Sequence, residues 1–529
     1  MKKIKIVFGF CIAATLMVVG CAKSEETAAT SGCSTADSIT SATTISAGGT
    51  IGGSDCGTNY SANVTVSGNA KLSGTVKVKS GATITFTPGT TISADTSKFT
   101  ALIVERGGKI NVNGTGTTYD GTCNASTDVV VFTSDKTAGS RSPQDWGGVV
   151  IHGAAPANAT AKTAGNTDAD AGAASDTEIL TGPFGGTTVN DDSGTFRCAR
   201  IEFAGRQIAA DKEFNGLFLA GVGKATIIEY IQVHRGSDDG IEIFGGTVNV
   251  KNAIITDNQD DGFDVDDGWV GYAQNIAISN GTDGDNCIEY DGLGKDANRA
   301  THGILMNITC VGTPGNTGNS IVAARKNAGI RMYNSLIANF TDQWFAVSAN
   351  TVGQNGAAGT TMNGITYGPY VVAFASNKIE KVVMNGNTVS SLTSTTPDQN
   401  FFCGNGNYTT ATGSSAAIED GDNCADTNLQ TAGAQKATPV SVATLFPGGN
   451  GNNTAVAGLS TGLTAPATSA NYWGQTAGID DFTPTADIAI TSAGNQTAIN
   501  GDTVTAGNYA GAFAGGATWA NNWTTFVRN

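Results

Sequence analysis

From residue 64 onward the chain alternates apolar and polar positions in short runs. Val64 and Val66, Val76 and Val78, Ile84 and Phe86, Leu102 and Val104, and Ile110 and Val112 each sit two apart, and an apolar run follows at Val129–Phe132. A period of two buries one face of a strand. Pro88-Gly89 and Gly107-Gly108 punctuate the runs, which are therefore predicted as strands of four to six residues joined by tight turns.

The middle of the chain repeats. Asn215-Gly216-Leu217-Phe218-Leu219, Asp239-Gly240-Ile241-Glu242-Ile243, Asp261-Gly262-Phe263-Asp264-Val265 and Asn286-Cys287-Ile288-Glu289-Tyr290 align, with positions 216, 240, 262 and 287 separated by 24, 22 and 25 residues. Second strands lie between them, at Ile231 and Val233, Ile254 and Ile255, and Ile276 and Ile278. A period in the low twenties with two or three strands per repeat is a solenoid coil, whose apolar face is buried only by stacking on its neighbours. The leucine and asparagine spacing of leucine-rich repeats is absent. The expected fold class is all-β, a parallel β-helix over 61–390 with a loop insertion at 153–197. A tether and N-terminal cap are expected over 21–60, a loop-rich region over 391–470, and a closing segment over 471–529 whose aromatics, Tyr509, Phe513 and Trp519 to Phe526, cap the open end.

The amino terminus adds an address. Lys2, Lys3 and Lys5 precede the apolar stretch Ile6 to Val19, the pattern of a secretory signal over 1–20, and the stretch is short for a membrane span. Val18-Val19-Gly20-Cys21 resembles the bacterial lipobox, which implies lipidation of Cys21 and a membrane partner reached through that anchor. Ala22 in place of Asp points, by resemblance to Gram-negative sorting rules, to the outer membrane, at the cell surface or facing the periplasm.

Composition fits this picture. There are 71 glycines and only 14% charged residues, and the formal charge of −16 becomes −19 without the three signal lysines, which disfavours a nucleic-acid partner. Eight cysteines remain after Cys11 and Cys21: Cys33, Cys56, Cys123, Cys198, Cys287, Cys310, Cys403 and Cys424. In an exported protein an even number reads as disulfides, paired here in sequence order. The 23 residues between Cys287 and Cys310 place that pair on adjacent rungs; free buried thiols are the alternative.

Several strings together resemble a large family of exported Gram-negative β-helix lipoproteins and secreted proteins. They are GTVKVKSGATITFTPGTTI from Gly74, ALIVERGGKINVNGT from Ala101, DWGGVVIHGAAP from Asp145, ARIEFAG from Ala199, NGLFLAGVG from Asn215, DDGIEIFGGTVNVKNAII from Asp238, DDGFDVDDGW from Asp260 and YAGAFAGG from Tyr509. The resemblance implies a right-handed parallel β-helix and carries no common biochemical activity.

Two chemistries are open. Asp238, Asp260, Asp261, Asp266 and Asp267 recur at coil spacing and could form an oxygen-rich ladder for Ca²⁺, the one cofactor the sequence suggests. The plainer reading, which we prefer, is that these residues occupy turns and satisfy backbone donors. The middle region also resembles polygalacturonases loosely, through Asp260-Asp261-Gly262-Phe263-Asp264, Asp285-Asn286, Thr301-His302-Gly303 and Arg331-Met332-Tyr333. That likeness implies Asp264, Asp285, His302 and Arg331 as catalytic candidates, with the carboxyls about 6.5 to 9.5 Å apart. Each string departs from the pattern: Asn286 stands for a carboxylate, Thr301 for a glycine, and no lysine follows Arg331. His234 reads as a turn or surface residue, and Trp146, Trp269 and Tyr272 as sugar-stacking platforms or, more commonly, loop anchors. The preferred function is non-enzymatic, an adhesive, structural or glycan-binding surface protein partnered by polysaccharide or surface proteins; the alternative is a polysaccharide-degrading enzyme.

Overall fold

A computed structural model describes residues 35–112, 123, 127–157, 171–172, 182–209, 212–279, 283–291, 301–312, 320–324, 328–329 and 331–338, short strand segments between 343 and 388, and 494–514, 519–520 and 523–524. Its main body is three stacks of parallel strands wound as one solenoid. Stack one is an eleven-stranded parallel sheet running from Asp37–Ile39 to Gln343–Val347. Its register steps from Val76 to Leu102, Val149, Leu217, Ile241, Phe263, Ile288, Val322 and Phe345. Where steps exceed the low twenties, extra residues leave at a corner and return in register. The insertion after Val149–His152 carries an antiparallel pair, Ala171–Gly172 with Phe184–Gly185, and rejoins at Gly194 beside Ile110. A crossover between parallel strands takes the right hand, as the resemblance implied.

Each inward column is apolar, which is why the coils stack. In stack one Val76, Leu102, Val149, Leu217, Ile241, Phe263 and Ile288 face the interior; Phe86, Phe132 and Phe196 add an aromatic run, with centroids 5.1 and 5.9 Å apart. Stacks two and three meet within single long strands such as Ile227–His234 and Asn249–Thr256. A residue at each such corner takes positive φ, Cys198, Tyr230, Asn252, Asn275 and Asn307 within a strand and Asn334 between Arg331–Tyr333 and Leu336–Ala338, all between 51 and 57°. That residue resets the alternation, so that Ile228 and Ile231 both point inward although three apart. Asparagine tolerates this conformation better than most residues, and four of the six corner positions hold one.

The solenoid starts before residue 61. Asp37–Ile39, Thr43–Ser46 and Thr50–Gly52 already form a coil that pairs with Thr58–Tyr60, Val64–Ser67 and Ala70–Ser73. Only Ile45 and Ile51, with Ile39 partly buried, supply its apolar contacts, so the Ser- and Thr-rich composition reads as a tether although strands are present.

The closing segment also differs from expectation. Residues 494–514, 519–520 and 523–524 lie along the side of the solenoid over the described coils and cover outward faces. Asn334 Nδ2 donates to Gly507 O (3.1 Å), Asn307 Nδ2 to Tyr509 O (2.8 Å), and Arg200 Nη1 to Trp523 O (3.0 Å). Ala512, Phe513 and Ala520 pack on Ile254, Ala277 and Val311, with Trp519 stacked on Phe513 at 4.7 Å. Those faces carry an apolar strip that alternation alone would leave wet, and the strap is what dries it.

Cys123 bonds Cys198, and Cys287 bonds Cys310. Cys56 is disulfide-bonded as well, while Cys33, Cys403, Cys424 and Cys21 lie outside the described residues. The Cys287 bond joins the start of a coil to the end of that same coil, not adjacent rungs. In the three preceding coils this position is Gly216, Gly240 and Gly262, where an added Cβ would sit 2.3 Å from Val233, Ile255 and Ile278. At the fourth coil the glycine and aliphatic partner become two cysteines, and a covalent bond replaces the close contact.

Candidate functional site

The acidic repeat occupies two parallel columns at stack one. The first lies in the turn before each strand. Asp239 N donates to Asn215 Oδ1 (3.1 Å), Asp261 N to Asp239 Oδ1 (2.9 Å), and Asn286 N to Asp261 Oδ1 (2.5 Å). Each side chain therefore holds the backbone of the next coil, the turn role expected of these residues. Asparagine ends the column on both sides, which accounts for Asn286 standing where a carboxylate was sought.

The second column points outward from the strands. Phe218, Glu242, Asp264 and Glu289 are in register, between inward Leu217 and Leu219, Ile241 and Ile243, Phe263 and Val265, and Ile288 and Tyr290. Its lower part is apolar, where Ile103, Val150 and Phe218 are covered by Phe184 and Ala157 from the insertion. Above Phe218 it turns acidic, and those acids remain buried: Glu242 is 6% exposed and Asp264 9%.

Together the columns bring oxygens within 4.8 Å of one another in three groups: Asp238, Asp239 and Asp260; Asp239, Glu242 and Asp264; and Asp260, Asp261 and Asp285. Asn215 Nδ2 donates to Glu242 Oε2 at the edge of this set. Burial, reinforced by Asp238, Asp264, Asp261 and Glu242, raises the Asp239 carboxyl well above the usual carboxylate range. Groupings of this kind offer the hard oxygen donors that divalent cations such as Ca²⁺ prefer. Of the five ladder residues picked out by spacing, Asp238, Asp260 and Asp261 fall within the groups. Asp266 and Asp267 sit at the far end of their strand, where Asp266 Oδ1 accepts Asp267 N (2.6 Å), and belong to none. Asp239, beside Asp238 in the acidic repeat, joins two of the groups, whereas Glu242 was not singled out, although the alternation Ile-Glu-Ile, Phe-Asp-Val and Ile-Glu-Tyr held the signal.

The four catalytic candidates divide between the acidic groups, which are linked through Asp239 and Asp260, and the His302–Arg331 corner. Asp264 joins Asp239 and Glu242, whereas Asp285 joins Asp260 and Asp261. His302 is buried and pushed down to about 3 by burial and by Arg331, whose Nη2 donates to its backbone carbonyl (3.0 Å). His234 is also buried, with Nδ1 2.8 Å from Thr256 Oγ1, which corrects its reading as a turn or surface residue. Trp146 and Trp269 are fully buried and donate to Glu202 O (2.8 Å) and Val248 O (2.9 Å), so they anchor the coils instead of offering faces to sugars; Tyr272 lies beneath the strap beside Val504.

Comparison with protein families decides the kinship. The model for the pectate-lyase-like β-helix domain matches residues 57–419, over two thirds of the chain. The chain belongs to that family. No curated protein and no solved structure matches it. The pectate-lyase-like assignment accounts for the stacked parallel coils from Thr58–Tyr60 upward, while the opening coil lies ahead of the matched region.

Proposed function

We propose that this pectate-lyase-like β-helix protein is a lipoprotein anchored through Cys21 in the outer membrane and displayed at the cell surface, where it binds polysaccharide without cleaving it. In this reading the acidic columns take up Ca²⁺. The observation that carries it is the gathering of Asp238, Asp239, Glu242, Asp260, Asp261, Asp264 and Asp285 into three linked carboxylate groups suited to a cation, with His302 and Arg331 outside them. Hydrolysis by paired carboxyls needs an acid and a base facing one glycosidic bond. A cation, in contrast, relieves the mutual repulsion of buried carboxylates and presents positive charge to sugar hydroxyls or uronates. The family assignment supports a polysaccharide connection, and the negative charge argues against nucleic acid. Adhesion to surface proteins is the neighbouring role in the same class.

The test is a polysaccharide screen of the mature chain lacking Cys21, with Ca²⁺ and with EDTA, scored for binding and for new reducing ends or unsaturated products. Calcium-dependent binding without products is expected. Products that vanish in Asp264→Asn or Asp285→Asn would establish a polysaccharide-degrading enzyme instead.

A further inference from the structure

Beyond the acidic columns, three polar groups lie near one another at the corner between the Ile288–Tyr290 and Arg331–Tyr333 strands. Tyr290 points into the interior among Trp269 and Phe263 and is fully buried, yet its hydroxyl has no hydrogen-bond partner. His302 is 4% exposed, and neither ring nitrogen is bonded. Arg331 uses Nη2 on His302 O (3.0 Å) and Nη1 on Thr497 O (3.3 Å), while its Nε is buried and unbonded. Among the described residues no carboxylate pairs with this guanidinium.

Such an arrangement is costly as it stands. A buried hydroxyl or ring nitrogen without a partner gives up its hydration with nothing in return, and the half-buried Arg331 carries its charge with no counter-charge beside it. The charge of Arg331 is felt at both Tyr290 and His302, yet no side chain of the three bonds another. Tyr290 lies 6.5 Å from Trp269 between ring centroids, Gly303 next to His302 is pressed against the same Trp269 ring, and the Arg331 guanidinium sits on the His302 carbonyl, so the three groups share one corner without satisfying one another. Tyr290 O–H, one His302 N–H and Arg331 Nε–H are all donors once the imidazole is neutral, as burial keeps it. Three donors, one of them charged, describe a receptor for an anion.

We propose that Tyr290, His302 and Arg331 form a binding site for a small inorganic anion, a halide or compact oxyanion, held at the corner of the solenoid. The anion supplies the counter-charge that Arg331 lacks and accepts from the two buried donors. It ties the Ile288–Tyr290 coil to the next one through Arg331, and to the strap through the same guanidinium at Thr497. The site is separate from the acidic columns and stands whether or not those bind calcium.

The probe is chloride, followed by ³⁵Cl line broadening on the mature chain lacking Cys21, at constant ionic strength. Broadening that saturates with protein-bound chloride is expected, and bromide should displace it. Arg331→Gln should abolish the excess linewidth, and Tyr290→Phe, which keeps the ring packed, should weaken binding about tenfold, the equivalent of one charge-assisted hydrogen bond. Equal broadening in all three proteins would overturn the proposal. So would a bromide-soaked crystal with no anomalous peak between these groups, which would assign the space to ordered water.

Discussion

Coils 64–112 and coils 215–291 share register, stacks and an apolar interior, yet differ on the outside. In the lower coils the outward positions Thr65, Lys77, Thr83 and Thr85 are exposed or half-buried and their strands alternate, with Ala101–Val104, covered by the insertion, the exception. In the upper coils both faces of stack one are buried, and the outward column holds Phe218, Glu242 and Asp264. The inward column alone therefore maintains the coil. Outward positions are free to be solvated in one region and specialised in the other, which is how one repeat carries both scaffold and site.

The sharpest way to break this comparison is to strike the interior. Trp269→Ala should cost about 3–5 kcal/mol in urea unfolding, because it leaves a cavity beside Phe263 and Tyr290, whereas Thr85→Ala on the lower outer face should stay within about 0.5 kcal/mol. Next in size is the covalent corner. Replacing Cys287 and Cys310 together by Ala should lower stability by about 3 kcal/mol in urea unfolding, and reductant, which also opens the Cys123–Cys198 bond, should lower that of the native protein further. A smaller effect of opposite sign is expected for Asp239→Asn. Its raised pKa means that the folded state binds a proton more readily than the unfolded chain, so metal-free stability falls as pH rises through the window above the ordinary carboxylate value. In EDTA at neutral pH the amide, which preserves the Oδ1 acceptor for Asp261 N, should therefore be more stable than wild type by about 1 kcal/mol. Saturating Ca²⁺ should erase or reverse that gain, and an unchanged ranking in the two buffers would remove the cation from the acidic columns.

Much of the fold was legible because the interior repeats. Val76, Leu102, Ile241 and Phe263 announce themselves by alternation, and the spacing of positions 216, 240, 262 and 287 gave the coil length and part of the acidic site. What escaped detection depends on contacts distant in sequence. Ile39, Ile45 and Ile51 lie six apart with one apolar residue per strand, too sparse for a period-two pattern. The strap at 494–524 has aromatic character but no periodicity, and nothing local says whether it closes an end or lies along a side. His234 is buried by the meeting of its strand with Thr256, 22 residues away. Glu242 was not singled out because sequence does not reveal that its strand column converges with the Asp239 turn column.

A stack of coils that touch only their neighbours should come apart like a zip, one rung at a time from whichever end is loaded. The strap changes that mechanics. Its hydrogen bonds join residues 202 apart at Asn307 and Tyr509 and 323 apart at Arg200 and Trp523, so several rungs are bridged by one continuous length of chain. Pulled from its N-terminus, the protein should yield gradually through its lower coils and then resist as a block, because the rung at Arg200 cannot peel away until Trp523 is torn loose.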